Sequence, residues 1–180
     1  DRIQVYVKEK PRTLVSHIGT GRHYNINSKS GRLQILFTDS DQRNNIYNTD
    51  IASYYENMEC IEEMHHPYVV ITPDYMVYTA DFSKLIEQHI QSEADITLLY
   101  HAVDNAKDAY LNCNILNLNK QKGVLSIEPN HGNAKNRNIF MDTYIMKKDL
   151  FIELIRKAKA ISSAFTLADI INELHDELDV

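Results

Sequence analysis

The chain is poor in glycine and in basic residues, and each shortage excludes a class of function. Its five glycines occupy positions 19, 21, 31, 123 and 132, so neither the G-x-G-x-x-G fingerprint nor the phosphate loop G-x-x-x-x-G-K-[ST] can be written from them. Nineteen Lys and Arg residues against 25 Asp and Glu give a net charge of −6, which repels nucleic acid and anionic lipid. We therefore expect no nucleic-acid partner and no membrane partner.

Cysteines and long apolar segments are also scarce. The two cysteines, Cys60 and Cys113, fall in a helical pattern and a strand pattern, and they lack the C-x-x-C spacing of metal or redox sites. No apolar run approaches the roughly 20 residues of a membrane helix, and no signal-peptide pattern opens the sequence. We interpret both cysteines as reduced core thiols and expect a cytoplasmic protein.

Several motifs of hydrolases and metal sites are missing as well. No Ser-His-Asp order or nucleophile elbow is present. His65 and His66 are adjacent, so the two rings cannot share one face of a helix as metal ligands do, and they are more typical of a helix end that favours a cation. The pair Gly19 and Gly21 follows a helical pattern, where glycine suits the left-handed turn that ends a helix.

Hydrophobic periodicity predicts an α/β fold, and 43% hydrophobic residues in 180 are enough for one sizeable core. Two successive helix-to-strand units in the first hundred residues indicate a mostly parallel sheet. A turn at residues 119–123 then predicts an antiparallel hairpin. The predicted strands are 3–7, 33–37, 68–72, 96–100, 111–118, 124–127 and 139–146, and the predicted helices are 11–18, 49–64, 81–90, 150–158 and 166–178.

The strongest local signal is the apolar strand at residues 68–72, which is followed at once by Asp74. In open α/β sheets, ligands bind beyond the carboxyl ends of the strands, so an aspartate there is a candidate for handling a metal or a phosphate. Aspartate also suits turns and helix caps, and this structural role explains the same pattern.

Three longer segments together carry a resemblance to a known family. They are residues 10–21 (KPRTLVSHIGTG), residues 55–74 with their helix and strand, and residues 141–150 (MDTYIMKKDL). In this order they resemble bacterial glucose-1-phosphate adenylyltransferase, and more narrowly its regulatory-type second subunit in Gram-positive glycogen synthesis. The resemblance implies a Rossmann-like nucleotidyltransferase sheet with an inserted antiparallel hairpin. It also implies that residues 1–180 are a partial domain, without the family's first strand and Gly-rich loop and without its C-terminal β-helix.

The resemblance further implies a set of site residues. In this family a glucose 1-phosphate oxygen attacks ATP, and carboxylate-held Mg²⁺ and basic groups neutralise the phosphates. Asp74 matches the catalytic and Mg²⁺-binding aspartate, and Glu128, Asp142 and Tyr144 fall at substrate-binding positions. Glu128, however, replaces the catalytic lysine and Asp142 replaces a glycine, while Pro73 replaces the glycine before the aspartate. An anion in place of a cation beside a phosphate costs on the order of several kcal/mol.

These departures predict a regulatory subunit with little catalysis of its own. Its implied partner is a separate catalytic subunit, in a hetero-oligomer that binds ATP and glucose 1-phosphate. Two alternatives stay open at this point. One is a competent nucleotidyltransferase in which Asp74 binds Mg²⁺ and the family's Gly-rich loop restores activity in the full-length protein. The other is a plain α/β scaffold with no small-molecule role.

Overall fold

A computed structural model describes residues 2–8, 11–18, 32–38 and 44–180. In these residues the chain is a mixed α/β protein that divides into two compact units, Asp1–His65 with Ile152–Leu167 and His66–Phe151 with Ala168–Val180. Gly19 and Gly21, for which a helix-ending turn is predicted, lie outside the described residues. None of the helices in the described segments is long and apolar enough to cross a membrane.

The first unit contains a parallel pair of strands. Strand β1 (Arg2–Val7) pairs with β2 (Arg32–Phe37) in the register Arg2↔Arg32 to Val7↔Phe37. The parallel pairing expected for this chain is therefore confirmed for these two strands. The unit also contains α1 (Pro11–Ile18), a 3₁₀ turn (Asn45–Tyr47), α2 (Asp50–Glu56) and α3 (Met58–Glu62).

The single helix predicted over residues 49–64 is in fact these two helices, α2 and α3. Thr49 caps α2 as predicted, because its Oγ1 accepts a hydrogen bond from the N–H of Ala52 at 3.1 Å. Asn57 interrupts the helix: its φ of −108° and ψ of 24° leave the helical region, and its Nδ2 donates to the carbonyl of Ser53 at 3.0 Å. The apolar stripe continues across the break, so periodicity alone does not show it.

The second unit is built on a five-stranded sheet. The strands are β3 (Tyr68–Ile71), β4 (Ile96–Val103), β5 (Asn114–Leu118), β6 (Val124–Pro129) and β7 (Arg137–Lys147). Their order is β3-β7-β5-β6, and β4 also pairs with β7. The predicted parallel pairing of β3 and β4 is wrong: each pairs antiparallel with β7, so the two strands run in the same direction but belong to an antiparallel sheet. Residues 143–146 of β7 are buried in succession, as in a strand covered on both faces.

Helices and a covered sheet edge complete this part of the chain. The hairpin of β5 and β6 is antiparallel, as predicted. Asn172 covers the free edge of β6, since its side chain accepts from the N–H of Ile127 at 2.8 Å and donates to the carbonyl of Ile127 at 2.7 Å. The remaining helices are α4 (Phe82–Ser92), capped by Asp81 as predicted, α5 (Lys148–Ile161), which belongs to the first unit from Ile152 onward, and α6 (Leu167–Glu173), which ends earlier than the predicted residue 178.

One buried asparagine organises the loops between these strands. Asn130 is 2% exposed, and its Nδ2 lies within hydrogen-bond distance of the carbonyls of Ala106, Ala109 and Tyr110. Its Oδ1 accepts from the N–H of Gly132 at 3.0 Å. This one side chain therefore satisfies backbone groups that the loops would otherwise bury unpaired.

A buried histidine lies between α4 and the sheet. His89 is 2% exposed, its Nδ1 lies 2.8 Å from Oγ1 of Thr97, and its ring packs edge-on against Tyr68. Burial lowers the pKa of His89, and the positive charge of Lys147 lowers it further. The buried ring is therefore held in its neutral form.

Candidate functional site

The backbone of the second unit contains a bulge in the middle of β7. Leu98 of β4 pairs with Tyr144, whereas Tyr100 pairs with Phe140, so one residue of β4 faces three residues of β7. At the centre of the bulge, Asp142 has a φ of +48°. This is the left-handed region, which glycine adopts freely and which most other residues avoid. Bulges and strained residues of this kind are common beside functional sites.

The Asp142 carboxylate is held between two tyrosine hydroxyls. Tyr75 donates to its Oδ2 at 2.5 Å, and Tyr144 donates to its Oδ1 at 3.0 Å. Tyr144 is buried, at 3% exposure, whereas Tyr75 is 62% exposed. Hydrogen bonds to a charged acceptor are stronger than those between neutral groups. The two tyrosines therefore stabilise the carboxylate in one orientation.

A second tyrosine contact lies next to this one. The hydroxyl of Thr143, which is fully buried, donates to the carbonyl of Met141 at 2.9 Å. Because a hydroxyl carries one hydrogen, Tyr78 must be the donor in its 2.5 Å contact with Oγ1 of Thr143. Two tyrosines of the segment that follows β3 thus bind two successive residues of the bulge.

The electrostatic environment of these residues is negative. Partial burial raises the pKa of Tyr75, and the hydrogen bond to Asp142 and the charges of Asp142, Cys113 and Asp74 raise it further. Burial also raises the pKa of the Cys113 thiol, with a smaller contribution from Asp142. No ion pair within the described segments involves Asp74 or Asp142. A phosphate placed here would meet uncompensated negative charge.

The predicted site residues are only partly brought together. Asp142 and Tyr144 are in direct contact, and Asp74 is exposed three residues beyond Ile71, the last paired residue of β3, near enough for its charge to act on Tyr75. Glu128 is exposed on β6, opposite Ile115 of β5. No hydrogen bond or ion pair in the described part of the chain joins Glu128 to Asp142. The assignment of Glu128, Asp142 and Tyr144 to substrate binding, and of Asp74 to catalysis, stays a prediction.

The described residues do not by themselves form a magnesium cage. Among them, no group of three or more His, Cys, Asp and Glu side chains lies close enough to bind a metal ion. Both oxygens of Asp142 already accept hydrogen bonds, which leaves Asp74 as the exposed carboxylate. Mg²⁺ prefers six oxygen ligands and often takes several of them from phosphates and water. Binding of Mg²⁺ to Asp74 therefore stays a prediction.

Sequence reasoning missed three residues of this network. Tyr75 and Tyr78 lie between a predicted strand and a predicted helix, and the only signal for them is two aromatic residues in a segment that carries Asp74. Cys113 was predicted inside a strand, but it precedes β5, and its backbone N–H donates to the carbonyl of Tyr110 in a turn. That prediction is wrong because the alternating pattern runs on through the turn.

Comparisons with known proteins agree with the resemblance in outline. No protein-family model matches the chain. The chain is similar to proteins named glucose-1-phosphate adenylyltransferase from Clostridioides difficile (23% identity over 88% of this chain), Clostridium perfringens strain SM101 (28% over 79%) and Bacillus thuringiensis strain Al Hakam (22% over 98%). The matched region covers 41%, 37% and 47% of these relatives, respectively.

A solved structure shares the fold. The crystal structure of HddC from Yersinia pseudotuberculosis matches 93% of this chain and 62% of its own chain, with a TM-score of 0.61 and 15% sequence identity. At this identity the match concerns the fold alone. The chain is thus a mixed α/β protein that is similar, at low identity and over most of its length, to less than half of several glucose-1-phosphate adenylyltransferases.

Proposed function

We propose that this chain is part of a regulatory subunit of glucose-1-phosphate adenylyltransferase. In the proposed assembly, a separate catalytic subunit forms ADP-glucose and pyrophosphate from ATP and glucose 1-phosphate. The sequence similarity to enzymes of that name supports the role in ADP-glucose synthesis. The regulatory part of the proposal rests on Asp142, whose carboxylate lies at the left-handed position in the bulge of β7.

The geometry at position 142 supports the low activity proposed for this chain. A φ of +48° suits glycine, which is the residue that the resemblance implies for catalytic members. Asp142 instead fills that position with a negative charge, which two tyrosines hold in place. Repulsion of phosphate by a fixed carboxylate opposes binding of a sugar phosphate. Glu128, in the position of the implied lysine, acts in the same direction.

The proposal is tested by measuring ADP-glucose formation with the complete subunit alone, the catalytic subunit alone and the two together. We expect the complete subunit alone to be at least about 100-fold slower than the catalytic subunit, since a loss of about 3 kcal/mol corresponds to that factor. We also expect the two subunits to co-purify and the mixture to differ in rate from the catalytic subunit alone. Equal rates for the two separate subunits would contradict the proposal.

A matched pair of variants sharpens this experiment. Glu128→Lys combined with Asp142→Gly restores the two implied residues and should raise the activity of the lone subunit. Asp108→Gly, which changes an exposed acidic residue outside the site, serves as the control and should leave the rate unchanged. If the double variant and Asp108→Gly changed the rate of ADP-glucose formation equally, positions 128 and 142 would have no special role.

A second candidate function is catalysis by this chain itself. The observation in its favour is that Asp74 is exposed beyond the end of β3, where a metal-bound phosphate could reach it. In that case Asp74→Asn in the complete subunit should abolish both ADP-glucose formation and its dependence on Mg²⁺. Asp104→Asn, at another exposed aspartate, is the control. Full activity of Asp74→Asn would exclude this second function.

A further inference from the structure

The segment at residues 72–81, which we call the strap, connects β3 to α4 without forming a helix or a strand. Outside helices and strands, no backbone-to-backbone hydrogen bond in the described parts of the chain involves residues 72–80. Tyr75 is 62% exposed and Val77 is fully exposed. Exposed segments without backbone hydrogen bonds open at low free-energy cost. The strap is therefore attached mainly through side chains.

Two of those attachments lead to the same place. Tyr75 donates to Asp142, and Tyr78 donates to Thr143, so both contacts of the strap end on the bulge of β7. Further hydrogen bonds fix the two residues of β7 that accept these contacts. The buried Tyr144 donates to the other oxygen of Asp142, and the hydroxyl of Thr143 donates to the carbonyl of Met141. The strap is thus the side of each contact that can open at the lower free-energy cost.

We propose that Tyr75 and Asp142 form a latch that closes the strap over the bulge of β7, and that the closed latch excludes phosphorylated ligands from the carboxyl end of β3. The latch itself follows from the hydrogen bonds of the strap alone. The exclusion of phosphorylated ligands rests on the proposed function. In the closed state the hydroxyl of Tyr75 is hydrogen-bonded to Oδ2 of Asp142, and the negative charge of this carboxylate repels any phosphate.

The latch is tested by limited proteolysis of the strap in the whole 180-residue chain with chymotrypsin, which cleaves after Tyr and Phe. Tyr75→Phe removes only the hydroxyl and should speed cleavage within residues 74–80 by about tenfold, the effect of losing one hydrogen bond to a charged group, because cleavage follows the population of the open strap. Asp142→Gly should produce a similar change. Tyr110→Phe removes an exposed hydroxyl in the same unit and is the control, which should be cleaved in the strap at the rate of the wild type.

A double variant separates a shared contact from two independent ones. If Tyr75 and Asp142 act through one hydrogen bond, the strap of Tyr75→Phe with Asp142→Gly should be cleaved no faster than that of the faster single variant. Amide hydrogen exchange in α4 and β6 reports any general loss of structure, and it should stay unchanged in Tyr75→Phe. An unchanged rate of strap cleavage in Tyr75→Phe, or additive effects in the double variant, would overturn the latch.

Exclusion of phosphorylated ligands is tested separately, by thermal unfolding with and without glucose 1-phosphate. We expect no shift for the wild type and a rise of about 3 °C for the double variant at saturating ligand. Faster cleavage of the strap without any thermal shift would overturn the exclusion while leaving the latch in place. The proposed function fails by a different result, namely equal catalytic rates of the two separate subunits, so the two failures are distinguishable.

Discussion

Replacing Asp142 by alanine and by glycine tests the left-handed bulge directly. Both variants lose the hydrogen bond from the buried Tyr144, which should cost about 1–2 kcal/mol of unfolding free energy. The lost bond from Tyr75 destabilises both variants equally, so it does not affect the difference between them. The two variants differ mainly in the Cβ atom at a φ of +48°.

The difference between the two variants isolates the backbone strain. Alanine keeps the steric conflict of a left-handed residue, whereas glycine has none, so Asp142→Ala should be less stable than Asp142→Gly by about 1 kcal/mol. The assay is urea denaturation at 25 °C, in which the transition midpoint shifts while its slope stays constant. In a thermal melt the same difference amounts to about 2–4 °C for a chain of this size.

A control in the same strand should show the opposite order. Asn138 also lies in β7, paired with Ala102 in the regular part of the ladder. There, glycine only adds flexibility to the unfolded chain, so Asn138→Gly should be less stable than Asn138→Ala by about 0.5–1 kcal/mol. If alanine were as stable as glycine at position 142, the left-handed conformation that underlies the site would be wrong.

Three further predictions concern the packing of the second unit. The stability contributed by the buried, neutral His89 is complete above a pH of about 6.5. It should fall progressively as the pH drops from there toward the lowered pKa of His89, because in this range only the unfolded chain takes up the proton. His89→Asn should flatten this part of the curve when urea midpoints are measured against pH. Asn130→Ala should cost about 3 kcal/mol in urea denaturation, because buried carbonyls lose their donor. Gly132→Ala should lower the melting temperature, at a cost of about 2 kcal/mol, because at a φ of +68° the new Cβ would lie 2.9 Å from both Lys107 O and Leu111 Cδ2.

Each of these predictions has a clear control. An unchanged pH dependence in His89→Asn would show that other groups cause the acid destabilisation. Asn133→Ala, at an exposed position three residues from Asn130, should change stability by less than about 0.5 kcal/mol. For Gly132→Ala, the comparison is Gly123→Ala. At position 123 the atom nearest to the new Cβ is Nδ2 of the Asn119 side chain rather than a backbone atom.

Local features of the fold were predictable because their causes are local in sequence. Thr49 and Asp81 cap α2 and α4 as expected, since a capping side chain bonds an N–H only three residues away. The hairpin of β5 and β6 was predictable from the turn residues between them. The break at Asn57 was not, because its side chain also reaches the carbonyl of Phe37, 20 residues earlier.

Strand pairing was less accessible to sequence reasoning. Both β3 and β4 were expected to belong to a parallel sheet, and each instead pairs with β7. The order of strands depends on which apolar strands bury each other, and a periodic pattern contains no information on that choice. The succession of buried residues in β7 fits its position between other strands, but the sequence alone does not name those strands.

The sequence by itself determined the α/β class, most element positions and the candidate Asp74, because propensity, capping and the end of a strand are local in sequence. Asp142 became a candidate only through the resemblance to a known family. Only the tertiary structure decided that Asp142 lies in a left-handed bulge and that Tyr75, 67 positions away along the chain, bonds to it. The physical reason is that a bulge arises from the mismatch between two paired strands, and a hydrogen bond between distant residues exists only once both strands are in place.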